Sequence, residues 1–123
     1  MVGVLQKLRN AALAETGTGT IANALPMPVM LLGSEQEVLY ANPAAEQFFD
    51  TGLTILRKQT LADLIAPHSP LFQLVAQAVE RNASAAERDI DLSTPKLGER
   101  AADVTVTPVP EPEGAMLLTF QER

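Results

Sequence analysis

Five short segments of the chain carry the apolar pattern of β-strands. In residues 88–93 and 102–107, apolar side chains alternate with charged or polar ones, which is typical of a strand with one exposed face. Residues 29–32 are apolar at every position, which predicts a strand covered on both faces. We expect this strand to form a hairpin with a short strand at 38–40, and residues 115–120 to form the last strand.

The longest predicted helix begins at Ser69-Pro70, because serine caps a helix and proline is tolerated at the first helical position. Arg81-Asn82 is its expected end. The apolar residues in between recur at i, i+3, i+4, i+7 and i+8, so they form one stripe along the helix. The stripe consists of Leu71, Leu74, Val75, Ala78 and Val79.

Shorter helices are predicted between the second strand and Ser69. Asn42-Pro43 has the features of a helix start, and we interpret Asn42 as a cap rather than as a ligand-binding residue. Phe48-Phe49 ends that helix and is expected in the core. A single helical turn follows at 53–58, and Thr60–Asp63 has the pattern of a capping box.

The first 19 residues are predicted to form an amphipathic helix and a linker, ahead of a domain at residues 20–123. A helix of about three turns is marginal alone in water, so it needs a partner surface. That surface belongs either to its own domain or to a second chain, and the pattern leaves both alternatives open. The apolar face of the helix consists of Val2, Leu5, Leu8, Ala12 and Leu13.

Glycine and threonine alternate over residues 16–20, which predicts a break after the first helix. Gly17–Ala22 matches the G-x-G-x-x-A dinucleotide pattern, but that motif requires a strand before it and here a helix precedes. We therefore interpret the segment as a linker. Thr20 then caps a short helix over Ile21–Leu25, which Pro26 ends.

The composition excludes several function classes. The chain has 9 Lys+Arg against 15 Asp+Glu, a net charge of −6, which argues against a nucleic-acid partner. The absence of cysteine excludes disulfides, thiolate-bound metals and a thiol nucleophile. No apolar run approaches the roughly 18 residues that span a bilayer. We expect a cytoplasmic protein without a membrane partner.

Few side chains suggest catalytic chemistry. His68 lies in a proline-bounded loop and is interpreted as a structural or solvent-facing residue. Asp89 and Asp91 are two positions apart on a predicted strand, which resembles a paired-carboxylate site, but a solvated face is the simpler interpretation. Without a nucleophile–base pair or a ligand cluster, the sequence predicts no enzyme, no metal and no cofactor in this chain.

The order of the predicted elements, and two segments in particular, resemble a PAS domain. Leu25–Leu32 is similar to the start of the PAS fold, and Val38–Glu46 to its second strand and Asn-Pro-Ala helix start. Leu64–Phe72 and Leu117–Arg123 are similar to segments of the PAS domain of NtrB-type nitrogen-regulation sensor histidine kinases. The resemblance covers residues 20–123 and implies an α+β fold, with a five-stranded antiparallel sheet and short helices on one face.

The resemblance also implies functional roles. A sensory and dimerisation module of such a kinase is a homodimer, senses nitrogen status through the PII signalling protein, and reaches the response regulator only through other domains. The expected output segment is Gln121-Glu122-Arg123, which leads into a phosphoacceptor helix absent from this chain. The expected dimerisation residues are Val2, Leu5, Leu8 and Ala12.

The alternative function is a small-molecule receptor of the same fold, in another signalling protein or transcription regulator. Its ligand would lie between the sheet and the long helix, where the same side chains otherwise simply fill the core. The candidate pocket residues are Met30, Leu32, Phe48, Leu64, Val75, Val104, Met116 and Leu118.

Overall fold

A computed structural model describes residues 26–93 and 98–122 of the 123-residue chain. The strands are β1 (Val29–Leu32), β2 (Val38–Ala41), β3 (Ala85–Asp91), β4 (Ala101–Pro108) and β5 (Met116–Glu122). The helices are α1 (Pro43–Phe49), α2 (Leu53–Leu56), α3 (Leu61–Leu64) and α4 (Leu71–Arg81). The predicted N-terminal helix and the short helix at 21–25 lie outside the described residues.

The strands form one antiparallel sheet in the order β2-β1-β5-β4-β3. This confirms the predicted five-stranded sheet and the hairpin of β1 and β2. β4 pairs with β3 on one side and with β5 on the other. β5 also pairs with β1, so it lies in the middle of the sheet. The start and the end of the described chain therefore lie side by side.

The helices pack on one face of the sheet, the inner face, and enclose the main core. Alternate residues of β4 and β5 point into it, so Val104, Val106 and Phe120 are buried beneath the helices. All four residues of β1 are buried, which confirms the strand predicted to be covered on both faces. The opposite, outer face carries a second apolar cluster: Val29, Leu31, Tyr40, Val109, Ala115 and Leu117.

The outer cluster is buried although the described helices contribute little to it. Of their side chains only Leu53 packs against the cluster, and yet Leu31 and Leu117 are each 1% exposed. Burial and the nearby charge of Glu46 both raise the pKa of Tyr40 in this cluster.

The helix starts follow the predicted sequence signals. Asn42 caps α1, with its side chain accepting from the Ala45 N–H. The Asp63 carboxylate accepts from the Thr60 N–H at 2.9 Å at the start of α3, as expected of a capping box. The Ser69 hydroxyl accepts from the Leu71 N–H at 3.2 Å. Asn82 ends α4 in the left-handed conformation.

One residue of the predicted apolar stripe of α4 is not buried in the structure. Leu71, Leu74 and Val75 are buried, but Val79 is 56% exposed. Successive residues turn by roughly 100° around a helix, which puts Val79 roughly 90° from the middle of the buried stripe. The prediction for Val79 was therefore wrong.

Both edge strands contain an irregularity. Tyr40 pairs with Leu31 and Val38 with Leu32, so Leu39 is an extra residue on β2. On β3, two residues between Glu87 and Ile90 face one residue of β4. β3 also begins at Ala85, three residues before the predicted strand.

Candidate functional site

Asn42 joins the start of β1 to the start of α1. Its Oδ1 accepts from the N–H groups of Val29 and Ala45, each at 2.9 Å, and its Nδ2 donates to the Met27 carbonyl at 2.9 Å. The side chain is completely buried. These bonds hold the segment before β1 against the first turn of α1.

Three aromatic rings form the floor of the region where α1 crosses the end of β5. Phe48 stacks on Phe120 with ring centroids 5.4 Å apart, and Phe49 meets Phe120 edge-on at 5.5 Å. Both geometries are favourable for aromatic pairs and add to the stabilisation from burial. The C-terminal part of α1 is thereby fixed to the last strand.

Arg100, just before β4, connects α1 with the end of β5. Its guanidinium lies 4.2 Å from the centroid of the Phe48 ring and donates to the Phe48 carbonyl. Another guanidinium nitrogen lies 2.6 Å from Oε2 of Glu122. The Arg100 side chain is 21% exposed and the Glu122 side chain 54%. Arg100 is therefore held by the protein body, whereas Glu122 reaches it from the surface.

An open cleft of about 470 Å³ lies over this arrangement. Its apolar wall consists of Pro26, Met27, Pro28, Ala44 and the rings of Phe48 and Phe120. Its polar lining consists of Gln47, Gln121, Arg100 and Glu122. The cleft thus lies where the described chain enters β1 and leaves β5, and we take it as the candidate functional site.

A family model described as the PAS fold matches residues 22–122. The chain belongs to the PAS family. This confirms the predicted family resemblance, and the five-stranded sheet with short helices is the architecture expected from it.

The PAS domain is similar to sensory histidine kinase/phosphatase NtrB from two bacteria. It is 34% identical to the protein of Azospirillum brasilense over 82% of this chain and 25% of that protein. It is 36% identical to the protein of Rhizobium meliloti over 84% of this chain and 27% of that protein. The chain therefore spans about a quarter of the length of these relatives.

A solved structure is similar as well. The PAS domain of nitrogen regulation protein NR(II) from Vibrio parahaemolyticus superposes with a TM-score of 0.73 and is 25% identical. The similarity covers 85% of this chain and 95% of that one. These relatives show that the PAS domain of this chain is homologous to the PAS region of NtrB proteins.

The candidate pocket residues predicted for a ligand-binding PAS core all lie in the main core cluster. Phe48 alone among them also lines the cleft. A ligand in the core remains a prediction. Of the predicted output residues, Gln121 and Glu122 line the cleft, while Arg123 and the predicted dimerisation residues lie outside the described part of the chain.

Arg100 is the site residue that sequence reasoning did not single out. The residues it contacts are 52 and 22 positions away along the chain, so no local pattern connects them. The only signal is an arginine directly before a strand, which by itself is typical of a solvated turn.

His68 and the two aspartates of β3 lie at the surface and do not line this cleft. Asp89 and Asp91 line a neighbouring open pocket together with Arg100. The His68 side chain is 70% exposed, with Nε2 3.7 Å from Oδ2 of Asp91. Asp91 accepts from the N–H and hydroxyl of Ser93, which hold the pKa of its carboxyl below the usual range; His68 lowers it further. Asp89 lies in the bulge of β3 and is exposed.

Between residues 26 and 93 and between residues 98 and 122, no group of three or more histidine, aspartate or glutamate side chains is arranged to hold a metal ion. Within the same ranges, no helix has the length and apolarity needed to cross a bilayer.

Proposed function

We propose that this PAS domain is the sensory and dimerisation module of a nitrogen-regulation histidine kinase of the NtrB type, acting in the cytoplasm. The observation that carries the proposal is its identity of 34% and 36% to two NtrB kinases over more than four-fifths of the chain. In this proposal the module catalyses nothing. It shifts a kinase between two states, the kinase region acts on a response regulator, and the PII protein is the partner that reports nitrogen status.

The contacts of β5 support an output at Gln121-Glu122-Arg123. Glu122 is tied to Arg100, and Arg100 contacts the ring and the carbonyl of Phe48 on α1. A change in the position of α1 is therefore transmitted to the end of β5 through one side chain. A segment that continues from β5 receives that change directly.

The outer cluster supports a role for the N-terminal helix in dimerisation. An apolar sheet face is the surface that an amphipathic helix with Val2, Leu5, Leu8 and Ala12 on one side needs for burial. We propose that this helix packs on the outer cluster region or on its symmetry mate in a homodimer.

A chimera tests the function. The matching segment of the Rhizobium meliloti kinase is replaced by this chain, and phosphate transfer from ATP is measured with and without added PII protein. We expect phosphorylation to persist and to respond to PII, because the module fits the same fold and output position.

The control chimera lacks the segment entirely. It is expected to lose the response while any residual phosphorylation becomes constitutive. If the control and the PAS-bearing chimera respond equally to PII, or if neither responds, the module does not have this function.

A further inference from the structure

Arg100 and Glu122 are fixed to very different degrees. The guanidinium is stacked on Phe48, bonded to a main-chain carbonyl and mostly buried. The Glu122 carboxylate is more than half exposed, and the structure shows one partner for it, Arg100. An exposed ion pair contributes little stability. Breaking the ion pair between Glu122 and Arg100 therefore costs little free energy. The contacts with Phe48 hold Arg100 in position when Glu122 turns away.

The lining of the cleft indicates which molecule would take the place of Glu122. A guanidinium presents five donors in a plane that matches a carboxylate, and Arg100 uses only part of them for Phe48 and Glu122. The apolar surface of the cleft comes from Pro26, Met27 and Pro28, while the Phe48 and Phe120 rings lie buried behind it. The cleft volume of about 470 Å³ falls in the range of small-molecule sites.

We propose that this cleft binds a small carboxylate with an apolar body, whose carboxylate replaces that of Glu122 on Arg100. The body lies against the proline and methionine wall, and the amides of Gln47 and Gln121 are the neutral polar groups at its rim. Glu122 turns out into solvent, where its charge is hydrated. The protein's own carboxylate thus marks the position of the ligand's carboxylate.

Binding has a direct consequence for the last strand. The bond from Arg100 to Glu122 is the tether of the final described residue of β5 to the α1 side of the sheet. A ligand that takes Arg100 releases this tether. That part of the inference rests on the proposed function, because it assigns the released residue to the output segment.

The test uses the 123-residue chain, labelled with ¹⁵N, and benzoate as the probe at constant ionic strength. We expect amide shifts concentrated at Phe48, Arg100 and Glu122, saturating with benzoate. Benzyl alcohol, which has the same ring without the charge, and chloride, which has the charge without the ring, should give at least tenfold weaker binding.

Three variants separate specific binding from general attraction of anions. Arg100→Gln should weaken benzoate binding at least tenfold, and the matched control Arg81→Gln, which removes an exposed arginine of α4, should leave it unchanged. Glu122→Gln should strengthen binding about threefold, because the competing carboxylate is gone. This last variant changes an exposed side chain, so it remains informative if Arg100→Gln does not fold.

Equal binding by the Arg100→Gln and Arg81→Gln variants, weaker binding by Glu122→Gln, or shifts confined to other surfaces would each overturn the proposal. The outcome is independent of the chimera. Benzoate binding without a kinase response would contradict only the proposed function. A kinase response without benzoate binding would contradict only the proposed carboxylate site.

Discussion

At the scale of single residues, the Asn42 side chain makes hydrogen bonds to three different backbone segments or turns through Val29, Met27 and Ala45. Of the described residues, only Asn42 and Ser69 are polar and buried, and both satisfy backbone groups at helix starts. Asn42 does more than cap α1, because it also bonds to Val29 and Met27 at the start of the sheet. A buried polar group is tolerated when all its bonds are made, and it is costly when a partner is removed.

Replacing Asn42 by alanine should destabilise the domain by about 3 kcal/mol. About 1 kcal/mol comes from the lost cap, and the rest comes from leaving the Val29 N–H and the Met27 carbonyl without their partner. Urea unfolding measures the change. Asn42→Ser keeps an acceptor for the Ala45 N–H, so it should lose clearly less. Equal losses in the two variants would mean that the cap contributes nothing and that only the bonds to Val29 and Met27 matter.

Asp91 gives a prediction about pH. Because its pKa is lowered in the folded state, the carboxylate stabilises the fold above the unfolded pKa of about 4, and this stabilisation is lost as the pH falls through the folded pKa. Asp91→Asn should therefore lower the melting temperature slightly at pH 7, and the difference from the parent should shrink at pH 3. A difference between variant and parent that is the same at pH 7 and pH 3 would contradict this prediction.

At the scale of elements, α4 contains two valines one turn apart in different surroundings. Val75 is fully buried and Val79 is 56% exposed. Val75→Ala should cost about 2 kcal/mol, because it leaves a cavity in the core. Val79→Ala should change the stability by less than about 0.5 kcal/mol, since no core contact is lost and alanine has the higher helix propensity. Similar losses for both in urea unfolding would contradict the placement of the stripe.

Elements with local signals could be predicted from the sequence. The hairpin of β1 and β2, the caps at Asn42 and Ser69 and the capping box at Thr60 depend on neighbouring residues, and the structure has them all. The start of β3 could not be predicted. Ala85-Ala86-Glu87 has weak strand propensity and is extended because β4 pairs with it, about 20 residues further along the chain.

The cleft could not be predicted from the sequence either, because it too depends on residues that are distant along the chain. Its aromatic floor was partly expected, because Phe48-Phe49 was assigned to the core. Arg100 can contact both Phe48 and Glu122 only because the fold brings these two residues close together. Their proximity follows from the strand order β1-β5-β4. The sequence contains the residues of such a site, but it does not show that the fold brings them into contact.

At the scale of the whole molecule, the outer face of the sheet has two halves. On the β2-β1-β5 side its residues are apolar and buried, as Leu31 and Leu117 show. On β4 the outward positions are half-exposed and polar: Asp103, Thr105 and Thr107. Only the first half is suited to cover by an amphipathic helix.

Sedimentation at several concentrations tests the dimer expected from the N-terminal helix. The full chain should be a dimer, and a truncation that starts at Thr20 should be a monomer. Leu5→Asp with Leu8→Asp should weaken the dimer at least tenfold, because two charges replace apolar contacts. The matched control, Gln6→Asp with Asn10→Asp, adds the same charge on the polar face and should keep the dimer. An unchanged mass in the Leu5/Leu8 variant contradicts this role of the helix.

The irregular edge strands restrict how copies of the domain associate. The outer edge of β2 is occupied by the chain itself at its start, since the Val38 N–H donates to the Gln59 carbonyl at 3.0 Å and the Leu61 N–H to the Gln36 carbonyl, just before the strand, at 2.9 Å. The edge of β3 is bulged and lined by charged side chains at 87–89. Both edges are therefore poorly suited to accept an added strand from another molecule. Fibrils built by strand addition are disfavoured, and the proposed dimer would have to form through a face of the sheet instead.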